Sequence, residues 1–139
     1  MTSPASTEAV FRTQMAAYAA CDVEGLLASF TADCVLVDMA DPANPFIGKD
    51  AVNGFLIGYF ATLRNVAVDV THVAAGEDLV IGELDVTADY VGAPFCEERP
   101  GAVRLRYCVA EEIRDGRVAR ERFYWDSGDF ARQLAASAE

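Results

Sequence analysis

Basic residues are scarce in this chain. Its 139 residues include 11 lysines and arginines against 22 aspartates and glutamates, which gives a formal net charge of −11. Nucleic-acid binding depends on lysine and arginine side chains that neutralise phosphates, so this balance argues against a nucleic-acid partner. The sequence leaves two explanations of the acidity open: the carboxylates keep the protein soluble, or some of them form a functional cluster.

Metal-binding and export signals are also lacking. The chain has a single histidine, His72, and its four cysteines include no CxxC pair. Zinc sites are usually built from close-spaced cysteines and histidines, so we expect no metal. No stretch approaches the ~18 uninterrupted apolar residues of a membrane span. Residues 1–10 lack the basic and apolar segments of a signal peptide, so we expect a cytoplasmic protein with reduced thiols and no membrane partner.

Apolar residues are plentiful, at 53% of the chain, and their spacing changes along it. Helical spacing predicts a first helix from near Ser6, a second capped by Asp22 and a third after residues 48–50. Alternating apolar and polar residues then predict strands, with a tight hairpin at Asp115-Gly116. The predicted strands span residues 34–38, 66–74, 79–91, 103–113 and 117–126, and a short closing turn spans residues 130–134.

These elements predict one α+β domain over residues 1–139, with residues 1–5 disordered and residues 135–139 frayed. Hairpin-length connections require antiparallel neighbours, and helices on one face of such a sheet define the α+β class. The expected architecture is a curved antiparallel (mixed) sheet wrapped by about three N-terminal helices. The high apolar content indicates either a lined pocket between sheet and helices or a subunit interface.

Two aspartates end predicted strands and are candidate catalytic groups. Asp126 follows three consecutive large aromatic residues, so both faces of its strand should be covered and its carboxyl partly buried. Burial raises the pKa of a carboxyl group, which tunes it as a general acid or base. Asp38 ends an apolar strand before an irregular loop. It either reaches a cavity mouth or caps that loop through its own backbone.

The single histidine lies on a predicted strand. Its parity places His72 on the same face as Val68 and Val70. It is then a core or interface residue, or it donates a hydrogen bond into the pocket.

Several short motifs follow one another in a characteristic order. After Tyr18 in the first predicted helix come Asp22-Val-Glu-Gly-Leu-Leu-Ala-Ser-Phe30, Val35-Leu-Val-Asp38, Phe46-Ile-Gly-Lys-Asp50-Ala, Asp115-Gly116-Arg-Val and Arg122-Phe-Tyr-Trp-Asp126. In this order and spacing the chain resembles the SnoaL-like branch of the nuclear-transport-factor-2-like superfamily, over nearly its whole length. The resemblance implies a cone-shaped α+β barrel, commonly a dimer through the outer sheet face, and generally no cofactor. Members include polyketide cyclases, ketosteroid isomerases, limonene-epoxide hydrolases, polyether epoxide-opening cyclases and binding-only relatives.

The resemblance also implies roles for three aspartates. Asp38 matches the strand-end aspartate that is the proton-shuttling base of the isomerases and of related polyether enzymes. Asp126 matches the last-strand aspartate that is the acid/base of SnoaL-type cyclases and the base-side carboxylate of limonene-epoxide hydrolases. Asp85 matches the other aspartate of the epoxide hydrolases' Asp-Arg-Asp set. The arginine of that set is replaced by Glu83 here, and Arg104 or Arg106 on the neighbouring strand is a candidate substitute.

The chain departs from the isomerases at their oxyanion hole. The position of the isomerases' oxyanion-hole tyrosine falls on Gln14, with Tyr18 one turn further along. The position of the partner acid falls close to Ala110.

Our leading hypothesis is a cofactor-independent acid–base enzyme that acts on a hydrophobic natural-product intermediate of secondary metabolism. The reaction would be polyketide-type ring closure, isomerisation or epoxide opening, with Asp126 and Asp38 as base and acid and Asp85 as a further catalytic candidate. The expected substrate-binding residues are Tyr18, Tyr59, His72, Glu83, Arg106, Tyr124 and Trp125. Two alternatives remain: a binding module without chemistry, and a subunit whose apolar convex face (Leu84, Val86, Phe123) serves assembly. For all three hypotheses we expect a homodimer.

Overall fold

The computed structural model describes residues 2–137, which form four helices and six strands. The helices are Pro4–Ala19 (α1), Val23–Ala28 (α2), Lys49–Ala61 (α3) and Ser127–Ser137 (α4). The strands are Phe30–Asp38 (β1), Phe46–Ile47 (β2), Leu63–Gly76 (β3), Leu79–Tyr90 (β4), Gly101–Arg114 (β5) and Arg117–Tyr124 (β6). No helix among these residues is long and apolar enough to span a membrane.

The helices begin where side chains can cap them. Ser3 accepts a hydrogen bond from the Ser6 amide, so α1 begins at Pro4, earlier than the predicted start near Ser6. Asp22 accepts from the Gly25 amide at 2.9 Å, which confirms the predicted start of α2. Residues 2–5, for which we expected disorder, therefore belong to the folded N-terminus. Met1 lies outside the described residues.

The strands form one curved, mixed sheet in the order β2-β1-β6-β5-β4-β3. The β3, β4, β5 and β6 strands pair antiparallel in sequence order, whereas β1 returns beside β6 in parallel. The sheet does not close, because β2 and β3 lie at opposite edges. The predicted α+β class and its wrapping by three N-terminal helices are confirmed.

The inner face of this sheet carries the core. On β4 the buried residues alternate with exposed ones, and the buried set packs against the helices. At Gly82 a Cβ atom would overlap the Phe11 ring, so glycine is required for α1 to approach β4. The assembly hypothesis placed Leu84, Val86 and Phe123 on the convex face, and this is wrong. All three side chains are buried in the core, with exposed fractions of 3%, 0% and 9%.

The C-terminus forms a longer element than predicted. In place of a closing turn over residues 130–134, α4 runs to Ser137, and of the expected frayed end only residues 138–139 lie outside the description. Phe130 and Leu134, one helical turn apart, pack against the far end of the core. Gln133 hydrogen-bonds the backbone of β5 twice: it accepts from the Arg104 amide at 2.8 Å and donates to the Arg104 carbonyl at 2.7 Å.

Candidate active site

A small cavity lies between the helices and the inner face of the sheet. Its volume is about 50 Å³, and most of its wall is aliphatic or aromatic. The polar groups in the wall are Gln14, Glu121 and the three tyrosines Tyr18, Tyr59 and Tyr107. Tyr18 and Tyr59 were predicted to bind substrate, and the structure places both in this cavity.

The three tyrosine hydroxyls form a chain that we call the tyrosine trio. The Tyr18 hydroxyl, from α1, is hydrogen-bonded to that of Tyr59, from α3. The Tyr59 hydroxyl is 2.9 Å from that of Tyr107, on β5. Burial, the largest cause, raises the pKa of all three side chains, so they stay neutral at physiological pH. Three hydroxyl protons serve two internal hydrogen bonds, so one proton is left to donate to a ligand.

A pair of glutamates lies beside Gln14 at the α1 side of the cavity. Glu111 on β5 is directly opposite Glu121 on β6, and the Glu111 side chain is fully buried. The Gln14 amide donates to the Glu121 carboxylate at 2.7 Å. Burial above all, together with the facing Glu121 carboxyl, raises the pKa of Glu111. Glu111 therefore holds its proton at a pH where an exposed glutamate is ionised.

Sequence reasoning missed this glutamate pair. The available signal was strand parity, because Glu111 alternates with the apolar residues Val109 and Ile113 and so had to point inward. The partner acid of the isomerases' oxyanion hole was assigned near Ala110, one residue away.

Asp38 ends β1 on the inner face, two residues after the cavity-lining Leu36. The Trp125 indole donates to its Oδ1 atom at 2.8 Å, and the Ala40 amide donates to the same oxygen at 2.9 Å. The loop-capping explanation left open by the sequence is therefore realised. Asp38 is not among the side chains that line the cavity, so its position at a cavity mouth stays a prediction. Its carboxyl contributes, after burial and Tyr59, to the raised pKa of Tyr107, which places it near that end of the tyrosine trio.

Asp126 points away from the cavity, so its expected burial is wrong. Its side chain is 70% exposed and lies 3.6 Å from the Arg132 guanidinium. Its Oδ1 atom accepts from the Asp129 amide at 2.9 Å, which makes it the cap of α4. The strand ends at Tyr124, two residues earlier than predicted, so the chain has already turned into the helix at Asp126.

The other predicted site residues lie on the outer face of the sheet, around an open groove of about 800 Å³. They are His72, Glu83, Asp85, Arg106, Tyr124, Trp125 and Asp126. Among them, only Trp125 also contacts the inner-face candidate Asp38. Asp85 is held by Arg104, whose Nε atom lies 2.8 Å from Oδ1, and this guanidinium keeps the pKa of Asp85 below its ordinary value.

The position of His72 results from a β-bulge. The pairing register of β3 shifts between Val70 and His72, so parity reverses there. His72 consequently lies on the outer face opposite Glu83, with its side chain 77% exposed, and shares no face with Val70. The expectation of a core position or of a hydrogen bond into the cavity is therefore wrong.

A known family model matches most of the chain. Residues 11–121 match the family model described as the SnoaL-like domain. The chain belongs to the SnoaL-like family. The sequence comparison with curated proteins finds no match.

Solved structures of other proteins are similar over nearly their whole length. A proposed SnoaL-like polyketide cyclase from Shewanella denitrificans OS-217 superposes with a TM-score of 0.83 at 14% identity, covering 96% of this chain and 98% of that one. An LEH-like epoxide hydrolase from M. tuberculosis gives 0.76 at 17% identity, with 97% and 93% covered. AclR, a proposed hydroxylase from Streptomyces galilaeus, gives 0.77 at 20% identity, with 96% and 98% covered. At these identities the likeness establishes the fold alone.

Residues 2–137 contain no group of three or more histidine, cysteine, aspartate or glutamate side chains placed to hold a metal ion. The chemistry available from the side chains in and around the cavity is proton transfer. The tyrosine trio in the cavity wall supplies a neutral donor. Asp38 at the end of β1 and Glu111 opposite Glu121, which lie outside the wall itself, supply an acceptor and a stored proton.

Proposed function

We propose that this SnoaL-like protein is a cofactor-independent acid–base enzyme for a hydrophobic small molecule, with the interior cavity as its active site. One observation carries the proposal. Asp38 is oriented by the Trp125 indole at the end of β1, and its charge helps to raise the pKa of Tyr107, a member of the tyrosine trio that has one hydroxyl proton to spare. A base and a neutral hydroxyl donor at neighbouring positions are what proton abstraction next to a carbonyl requires.

In the proposed reaction the substrate carbonyl oxygen accepts the free hydroxyl proton of the trio. Asp38 removes a proton from the adjacent carbon, and the resulting enolate oxygen keeps the tyrosine hydrogen bond. Return of the proton to another carbon completes an isomerisation, and attack of the enolate carbon on a second carbonyl completes a ring closure. The indole N–H and the Ala40 amide hold the Asp38 carboxylate in place throughout.

The volume of the cavity limits what enters it. Pockets for whole drug-sized ligands measure ~300–1,000 Å³, whereas this cavity measures about 50 Å³. Only the head of a larger hydrophobic substrate fits beside the tyrosine trio, and the remainder extends past Asp38.

Epoxide opening is the second candidate, because the residues that match the epoxide hydrolases' set lie together: Asp85, Arg106 and Asp126 all line the outer-face groove. In that groove Asp85 is ion-paired with Arg104, and Asp126 lies 70% exposed beside Arg132. We favour enolate chemistry because Asp38 is held by uncharged donors instead.

The test is deuterium exchange at the carbon next to the carbonyl in methyl ketones of increasing chain length, followed by proton NMR in deuterated water. We expect Asp38→Asn to lower the enzymatic exchange rate by about 10²- to 10⁴-fold, the usual contribution of a positioned base. The matched control is Asp126→Asn, at the exposed aspartate that caps α4, which should keep the rate within about twofold. Exchange at the wild-type rate in Asp38→Asn, or an equal loss in Asp126→Asn, contradicts the proposal.

Assembly as a homodimer through the outer face stays a prediction that rests on the family resemblance. Sedimentation velocity at several concentrations tests it, and a persistent monomer dismisses it.

A further inference from the structure

The mechanism proposed above leaves the glutamate pair and Gln14 without a role. Within residues 2–137, the buried side-chain nitrogen and oxygen atoms that lack a hydrogen-bond partner are Gln14 Oε1 and both carboxyl oxygens of Glu111. Glu111 lies outside the cavity wall and, because it holds its proton, is itself a donor. Gln14 is in the cavity wall, and buried polar groups are almost always hydrogen-bonded, so its Oε1 atom is an acceptor that lacks a donor.

This end of the cavity also lacks a positive charge. The salt bridges among the described residues include neither Glu111 nor Glu121. Glu121 is partly buried in the cavity wall, and the Gln14 side-chain amide is its hydrogen-bond donor. A carboxylate in such surroundings is ordinarily paired with a group of opposite charge.

The remaining wall suits an organic cation. Phe55 stacks 5.9 Å from Tyr59 and lies 5.8 Å from Phe123, measured between ring centroids, and all three rings line the cavity. Aromatic faces attract ammonium groups, most strongly where water is excluded. A volume of about 50 Å³ is more than the ~10–15 Å³ that one water needs, so the cavity has room for a small group of a few non-hydrogen atoms.

We propose that this cavity binds a protonated amine, whose N–H groups donate to Glu121 and to Gln14 Oε1 while its carbon atoms contact the aromatic rings. The substrate of the enzyme is then a carbonyl compound with a basic nitrogen at its head. This assignment rests on the proposed function only in naming the ligand as the substrate's head group. The binding itself requires no turnover.

The test is titration of the whole protein with methylammonium chloride, followed by the NMR signals of the Gln14 side-chain amide and by the melting temperature. Even very efficient ligands gain about 1.5 kcal/mol per non-hydrogen atom at most, so a two-atom ligand should bind with a Kd in the millimolar range. Methanol has nearly the same size and also donates a hydrogen bond, but it carries no charge. We expect saturable binding of methylammonium, at least tenfold weaker binding of methanol, and no effect of sodium chloride at equal ionic strength.

Substitutions locate the site. Glu121→Gln should weaken methylammonium binding at least tenfold, and Gln14→Met, which removes the acceptor at similar size, should weaken it as well. Glu112→Gln is the matched control, because Glu112 follows Glu111 on β5 but faces outward and pairs with arginines. Equal binding of methanol, absence of saturation, or full binding by a folded Glu121→Gln variant overturns the proposal.

The two proposals fail separately. Saturable methylammonium binding together with wild-type exchange in Asp38→Asn removes the proposed function and leaves the amine site. Asp38-dependent exchange without methylammonium binding removes the amine site and leaves the proposed function.

Discussion

The two faces of the sheet hold their carboxylates in opposite ways. On the outer face Asp85, Glu112 and Asp126 pair with arginines. On the inner face Asp38 accepts from an indole and a backbone amide, Glu121 accepts from the Gln14 amide, and the Glu111 oxygens have no hydrogen-bond partner among the described residues. The Arg104 guanidinium lowers the pKa of Asp85, whereas burial raises the pKa of Glu111. The cationic side chains of this acidic protein thus pair with its surface carboxylates, and its interior contains a carboxyl group that keeps its proton.

The largest expected difference between the faces is in packing. Phe11 is completely buried against β4, so Phe11→Ala should lower the free energy of unfolding by about 3–5 kcal/mol. Ile81 lies on the outer face of the same strand and is 40% exposed. Its replacement by alanine should lower the free energy of unfolding by only about 1 kcal/mol. Urea unfolding of both variants measures this. Equal losses would contradict the placement of the core.

The pH dependence of stability should distinguish the consecutive residues Glu111 and Glu112, which lie on opposite faces of the sheet. Folded Glu111 holds its proton because its pKa is raised, whereas the unfolded chain releases it above the ordinary pKa of about 4.3. The unfolded state then binds fewer protons, so wild-type stability falls as pH rises, by up to about 1.4 kcal/mol per pH unit. Glu111→Gln should remove this slope. It should exceed the wild type in stability near neutral pH and match it near pH 4.

Urea midpoints measured between pH 4 and pH 8 test this prediction. Glu112→Gln should leave the slope unchanged, since Glu112 is half exposed and paired with Arg122. A wild-type slope in Glu111→Gln would show that Glu111 is not the group that holds the proton.

Removing one hydroxyl tests the tyrosine trio. Tyr59→Phe deletes the middle hydroxyl and leaves those of Tyr18 and Tyr107 without their partner, which should cost about 1–3 kcal/mol. Tyr124→Phe, on the exposed outer face, should change stability by no more than about 0.5 kcal/mol. Thermal unfolding followed by circular dichroism measures both variants. A neutral Tyr59→Phe would mean that the trio contributes nothing to stability.

The smallest effect is expected at Asp126. As the cap of α4, its replacement by alanine should cost about 1 kcal/mol and speed hydrogen exchange mainly in that helix. Faster exchange spread through β5 and β6 would instead indicate that Asp126 supports the sheet.

The sequence was sufficient for the fold because it depends on repeated signals. Apolar spacing, helix caps and the Asp115-Gly116 turn all agree on three helices followed by hairpin-connected strands. The parallel return of β1 beside β6 could not be predicted, because no local pattern specifies which distant strand becomes a neighbour. The positions of the site residues were predicted less well. A single inserted residue in a strand moves the side chains that follow it to the opposite face of the sheet. One bulge moved His72 to the outer face, and an early strand end moved Asp126 there.

Asp38 and Asp126 show the limit of reasoning from residue type. Both follow strands, and both match a family aspartate. The difference lies in the next segment: a loop after Asp38, and a helix that needs a cap after Asp126. Glu111 was overlooked for the opposite reason, because its parity was informative but its charge suggested the surface.

The double hydrogen bond of Gln133 has a consequence for self-association. Because β6 ends at Tyr124, the part of β5 beyond that point has no neighbouring strand on this side. A bare strand edge is a template on which another chain can add a strand. The Gln133 amide presents one donor and one acceptor to Arg104, as a strand residue would. It therefore acts as a one-residue substitute for the missing strand. Truncation of the chain before Gln133 should expose this edge. The expected result is β-sheet aggregation between molecules rather than unfolding of the domain.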